Sequence, residues 1–166
     1  MRVLSVVFAL LFLAVVATAQ APSAQPVGTL AQVMRGILFP NSNLLFDVQT
    51  RDPGAPPEAE SGGTVTSTFA SIYTGWQVVE NASVALAEVE HLITMPGRLC
   101  ENGRPVPVQE ADFVKYAQEL GEVGRAALKI AQSKDRDAMI EITNDVAGAC
   151  ENCHVVYRRF EDRCIP

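Results

Sequence analysis

The chain has 166 residues, enough for one domain of ordinary size and too few for two. It carries 19 acidic and 13 basic side chains, so its formal net charge is −6. An acidic chain has no basic surface to neutralise phosphates, which excludes nucleic acid as a predicted partner. With 48% hydrophobic and 19% charged residues, a wholly disordered chain is also excluded.

The N-terminus has the layout of a secretory signal peptide. A basic start and an apolar run over residues 3–16 precede a small-x-small cleavage site that ends at Ala19. Cutting after Ala21 would place Pro22 next to the scissile bond, so we predict a signal peptide over 1–19. An uncleaved anchor is the alternative, but the run is shorter than the ~20 residues that a membrane span needs. The predicted mature chain is periplasmic and not embedded in a membrane, and its spare cysteines can pair in that oxidising compartment.

After the signal peptide, residues 20–28 are predicted to form a flexible leader and residues 29–166 the folded domain. Thr29 and Gln32 fit a capping box at the start of the first helix. Apolar residues recur at helical spacing from there. Pro40 is expected to end or kink this helix, and residues 44–46 would form its second leg.

Three further helices are predicted after a Pro/Gly-rich loop over 51–63. Their apolar stripes are Phe69, Ile72, Trp76, Val79, Leu86 and Ile93, then Phe113, Tyr116, Leu120, Val123, Ala127 and Ile130, then Met139, Ile142, Val146, Ala149, Cys153, Val156 and Phe160. No segment of useful length alternates with period 2. The pattern predicts an all-α, antiparallel up-down-up-down four-helix bundle with the stripes packed in its core.

The run Cys150-Glu151-Asn152-Cys153-His154 is a C-x-x-C-H motif, the attachment signature for haem c. Two thiols add to the two vinyl groups of the porphyrin, and the residue after the second cysteine reaches the iron. On a helix, positions 150, 153 and 154 share one face. A redox dithiol, which favours a strand-to-helix context, and half of a zinc site, which needs two more ligands, are the competing interpretations. We predict one covalently attached haem c, with His154 as an iron ligand.

The position of this motif on the last helix resembles the class II cytochromes c, the four-helix-bundle family of cytochrome c-prime. The resemblance rests on Cys150-x-x-Cys153-His154-x-x-Tyr157-Arg158, on the exported leader and on four helices of suitable length. It implies a haem between the first and last helices, with His154 as the proximal ligand. The proline in the first helix and the long loop after it depart from the family layout at the far end of the bundle.

Met34 is the predicted sixth iron ligand. It lies in the second turn of the first helix, at the haem end, and its sequence context resembles family members in which Met and His bind the iron. Met139 is excluded because it precedes His154 by 15 residues (154 − 139), or about 22 Å of helix. Two alternatives stay open: Met34 packs in the core while Leu30 or another apolar side chain caps an open iron, or His91 binds the iron.

The ligation of the iron separates two functions. A thioether and an imidazole suit a single-electron carrier, whereas an open distal side suits a protein that binds NO or CO, as in the gas-binding members of the family. A third interpretation is a bundle without haem whose cysteines form disulfides. We predict an electron carrier rather than an enzyme, because the chain has only two histidines and His154 is assigned to the iron, which leaves few candidates for a general base. Its expected partners are basic redox proteins, and the resemblance adds homodimerisation as an option.

Cys100 and Cys164 are expected at the haem end, one in the loop after the second helix and one after the last helix. A disulfide between them would close a loop of ~60 residues and stabilise the fold by a few kcal/mol. Two separate free thiols are the alternative.

Overall fold

A computed structural model describes residues 25–56, 73–158 and 164. Helix α1 is a continuous helical stretch made of Leu30–Val33, Met34–Leu38, Phe39–Phe46 and Asp47–Gln49. Helices α2, α3 and α4 span Trp76–Ile93, Ala111–Ser133 and Arg136–Tyr157. Within the described ranges there is no strand, and the prediction of an all-α chain is confirmed. The predicted signal peptide, the leader before residue 25, and Phe69, Ile72 and Phe160 lie outside the described residues.

Each helix packs against two others: α1 against α2 and α4, α2 against α3, and α3 against α4. The start of α1 is tied to the loop after α2, because the Leu30 N–H donates to the Leu99 carbonyl at 2.8 Å. The end of α4 meets the start of α3, where the rings of Phe113 and Tyr157 pack edge to face with centroids 5.0 Å apart. The start of α1, the start of α3 and the end of α4 therefore share one end of the molecule.

The predicted capping box forms at the start of α1. The Gln32 N–H donates to Thr29 Oγ1 at 3.2 Å, and the Thr29 N–H donates to Gln32 Oε1 at 2.8 Å. These two bonds satisfy backbone donors that a helix start leaves without a partner. The capping-box prediction is confirmed.

Pro40 does not end α1. Residues Met34–Leu38 form a wide π turn just before the proline, and the helix continues to Gln49. A proline has no N–H to donate to the Gly36 carbonyl, and its ring would press on that carbonyl in a regular α-helix. The π turn changes the hydrogen-bonding register at this point, so the second leg remains part of the same helix.

The predicted apolar stripes face the interior. Every described stripe residue is either buried or packed against the buried core. Met139 is fully buried in that core. None of the described helices is both long and apolar enough to cross a bilayer.

Helices α2 and α3 approach closely because Gly124 of α3 faces the backbone of α2. A Cβ atom on Gly124 would lie 2.4 Å from the Ala87 nitrogen and 2.7 Å from the Leu86 carbonyl carbon. One turn earlier, a Cβ atom on Gly121 would lie 3.3 Å from the Ala87 carbonyl oxygen. The separation of the two helices therefore depends on the absence of a side chain at position 124.

Candidate functional site

A cavity of about 500 Å³ opens at the end of the molecule where α1 begins and α4 ends. Its volume falls within the range of about 300–1,000 Å³ that is typical of small-molecule and cofactor sites. Helices α1 and α4 supply most of the lining, with contributions from α2, α3 and the loop after α2. The large apolar residues of the wall include Leu30, Leu38, Phe39, Phe46, Leu86, Ile93, Phe113 and Leu120.

This cavity brings together every site residue that the sequence analysis predicted. Those residues are Met34, Cys100, Cys150, Cys153, His154 and Cys164. Met34 approaches from α1, whereas the two motif cysteines and the histidine approach from the last turns of α4. The alternative ligand His91 is exposed on α2 and is not part of the cavity wall.

The two motif cysteines are half-buried free thiols. Burial raises the pKa of the Cys150 thiol. Burial also raises the pKa of Cys153 to about 11, and the negative charges of Cys150 and Asp112 add to this effect. Redox-active dithiols have lowered pKa values, because the thiolate is the reactive form. Both thiols are therefore protonated near neutral pH, which disfavours the redox-dithiol interpretation.

The zinc interpretation finds no further ligands in the described part of the chain. Across residues 25–56, 73–158 and 164, no group of three or more His, Cys, Asp or Glu side chains is placed to hold a metal ion. A structural zinc site needs four such ligands. A haem iron needs only one or two protein side chains, because the macrocycle supplies the others.

A hydrogen bond fixes the last turn of α4 beside the motif. The buried Tyr157 hydroxyl donates to Asp112 Oδ1 at 2.5 Å, which joins the end of α4 to the first turn of α3. The Tyr157 ring also packs edge to face against Phe113 and Tyr116. The sequence analysis noted Tyr157 only as part of the family resemblance. It missed Asp112, because no local pattern links residues 45 positions apart.

Replacing Tyr157 with phenylalanine is expected to lower the free energy of unfolding by about 1–2 kcal/mol. The change keeps the ring contacts but removes a hydrogen bond to a carboxylate, a type of bond worth about 1.5–3 kcal/mol when buried. Asp112 is exposed, so water partly replaces the lost donor. Urea unfolding measures the effect, with Tyr73→Phe on the exposed Tyr73 as the control. Equal stability of the two variants would show that the hydrogen bond contributes nothing.

An ion pair at the rim of the cavity joins α1 to the loop after α2. Both terminal nitrogens of the Arg35 guanidinium donate to the Glu101 carboxylate, each at 2.7 Å. Hydrogen bonding to Arg35 lowers the pKa of Glu101, although desolvation opposes the shift. Both side chains are exposed, so the pair adds little to stability. It links the loop that carries Cys100 to α1.

No family model matches the chain, and searches of curated proteins and of solved structures likewise found no match.

Proposed function

We propose that this chain is an exported haem c protein that carries single electrons. Cys150 and Cys153 would hold the haem by thioether bonds. His154 and Met34 would bind the iron, from α4 and α1 respectively. The proposal includes a four-helix bundle with the haem between the first and last helices, and basic proteins as redox partners.

The observation that carries this proposal is the convergence of these four side chains on one apolar cavity. Free thiols are the groups that add to porphyrin vinyl groups, and an imidazole with a thioether is the ligand pair of many cytochromes. The thiols and the imidazole come from consecutive turns of α4, while the thioether comes from a helix more than a hundred residues earlier in the chain. An arbitrary packing of the helices would not be expected to bring these four side chains to one cavity.

The residues around the cavity suit this role. When bound, the haem supplies an iron centre that gains and loses one electron. Cys150 and Cys153 would hold it by thioether bonds, and the Tyr157–Asp112 hydrogen bond fixes the turn that follows His154. The inner wall of the cavity is mostly apolar, and an apolar shell around an iron site influences its redox potential.

A second candidate function is the binding of NO or CO. Leu30 and Leu38 lie one turn before and one turn after Met34 and line the same cavity. If one of these leucines lay next to the iron instead of Met34, the iron would have no side-chain ligand at that position. A diatomic gas could then bind there. Coordination of the iron separates this candidate from electron transfer.

Attachment through the motif is tested by the variants Cys153→Ala and Asn152→Ala, made as full chains together with haem-c maturation machinery. Asn152 lies between the two cysteines but is exposed and outside the cavity wall, so it is the matched control. We expect the unaltered chain and Asn152→Ala to keep haem colour after denaturing electrophoresis, and Cys153→Ala to lose most of it. Equal covalent haem in Cys153→Ala and Asn152→Ala would contradict the proposal.

A further inference from the structure

All four cysteines of the chain line the same cavity. Cys100 and Cys164 lie at disulfide distance, with their Cα atoms 5.2 Å apart. Cys150 and Cys153 are free thiols. Any two of the four cysteines could in principle form a bridge, which gives six possible single bridges. Only the bridge between Cys100 and Cys164 leaves both motif thiols free.

We propose that the Cys100–Cys164 bridge keeps the motif thiols free by removing the two thiols that would otherwise pair with them. The use of those free thiols for haem attachment rests on the function proposed above. The pairing itself does not, because it concerns thiol chemistry in the chain before any cofactor is present.

Chain length favours the wrong pairing. Cys164 is 11 residues from Cys153 (164 − 153) but 64 residues from Cys100. The entropic cost of closing a loop of n residues grows as (3/2)RT ln n, so the probability of closure falls with the 3/2 power of loop length. In an unfolded chain the ratio 64/11 therefore favours the Cys153–Cys164 pair roughly 14-fold. The folded structure must therefore supply the preference for Cys100.

The loop after α2 supplies that preference by holding Cys100 in place. The Cys100 N–H donates to the Arg104 carbonyl at 2.7 Å, and its own carbonyl accepts from the Gly103 N–H at 3.0 Å. Glu101, the next residue, is bound to Arg35 of α1. Cys100 is thus fixed and almost fully buried, with 2% of its surface exposed, at the place where Cys164 meets it.

The reaction needs an oxidant, which we take to be a small disulfide such as oxidised glutathione. Each thiol of the new bridge loses one proton and one electron, and the small disulfide takes up both protons and both electrons to become two thiols. Without Cys100, the same reaction can join Cys164 to a motif cysteine. That bridge removes a thiol that would otherwise form a thioether.

Three full-length variants test the proposal: Cys100→Ser, Cys164→Ser and the double variant with both changes. Each is refolded without haem in a glutathione buffer, and its disulfides are mapped by peptide mass spectrometry. Each is also produced with haem-c maturation machinery, and covalent haem is measured. We expect each single variant to form a bridge to Cys150 or Cys153 and to attach several-fold less haem than the double variant.

The double variant gives the decisive comparison, because it has lost the bridge but contains no cysteine outside the motif. If the bridge acted only by holding Cys164 to the loop, the double variant would attach no more haem than the single variants. This result would overturn the inference. The disulfide map of the variants refolded without haem tests the inference independently of haem attachment. Motif thiols that are free, or bridged only to each other, in both single variants overturn the inference even if the chain attaches haem. Mispairing in those variants supports it, even if the unaltered chain acquires no haem and the proposed function fails.

A measurement on the unaltered chain does not depend on how well the variants fold. During oxidative refolding, samples are trapped with an alkylating reagent at successive times and their disulfides are mapped. We expect the Cys100–Cys164 bridge to dominate once helical circular dichroism has recovered. Accumulation of a Cys153–Cys164 bridge in the helical chain would overturn the inference.

Discussion

Replacing Gly124 with alanine is expected to destabilise the protein by about 3 kcal/mol, because the new methyl group overpacks the contact between α2 and α3. Its Cβ atom would lie 2.4 Å from the Ala87 nitrogen and 2.7 Å from the Leu86 carbonyl carbon. These are backbone atoms, which cannot rotate away as a side chain can, so the helices must move apart. The gain in helix propensity from glycine to alanine, about 1 kcal/mol, is too small to offset this cost.

Gly148→Ala is the matched control for this prediction. Gly148 lies within α4, and a Cβ atom there would have no heavy atom within 4 Å. The control should therefore gain about 0.5–1 kcal/mol from helix propensity alone. Urea unfolding of both variants, followed by circular dichroism, measures the difference. A similar change in both would show that α2 and α3 do not require a glycine at their contact.

Replacing Met34 with leucine is expected to change the iron from low-spin to high-spin and to lower its reduction potential. The substitution keeps the apolar volume but removes the thioether that the proposed function assigns to the iron. The weak far-red band that arises from a sulfur–iron bond should disappear from the ferric spectrum. The ferrous form should then bind CO, because the sixth position is open.

Met95→Leu is the matched control for the ligand. Met95 lies just after α2 and outside the cavity wall, where its sulfur accepts a hydrogen bond from Arg98 at 3.6 Å. Its replacement should leave the spectrum and the potential unchanged. A low-spin spectrum that survives in Met34→Leu would exclude Met34 as the ligand. A high-spin, CO-binding spectrum already present in the unaltered chain would favour the gas-binding function.

The elements that the sequence predicts well are those that depend on neighbouring residues. The capping box at Thr29, the apolar stripes and the all-α class each follow from spacings of a few residues, and the structure agrees with them. The C-x-x-C-H motif is equally local, so its face of α4 can be predicted. The position of Met34 across the cavity from this face depends on how α1 packs. Only the family resemblance, and no local pattern, predicts that packing.

The features that the sequence analysis missed join residues far apart in the chain. Arg35 and Glu101 are separated by 66 positions, and neither carries a local signal of its partner. In the sequence, Gly124 indicates only a residue of low helix propensity. Its close approach to the Ala87 backbone is seen only in the folded structure. Pro40 shows a different limit, since a proline in the sequence indicates an end or a kink but does not reveal the π turn through which α1 continues past it.

The most direct test of the proposed function is the visible absorption spectrum of the purified chain after production with haem-c maturation machinery. The spectrum is recorded in the ferric and ferrous states, and again after unfolding and gel filtration in denaturant, which removes any haem that is not covalently bound. The proposal predicts a low-spin haem spectrum in the folded protein and haem absorbance that stays with the unfolded chain. A correctly processed chain that carries no haem absorbance would contradict it.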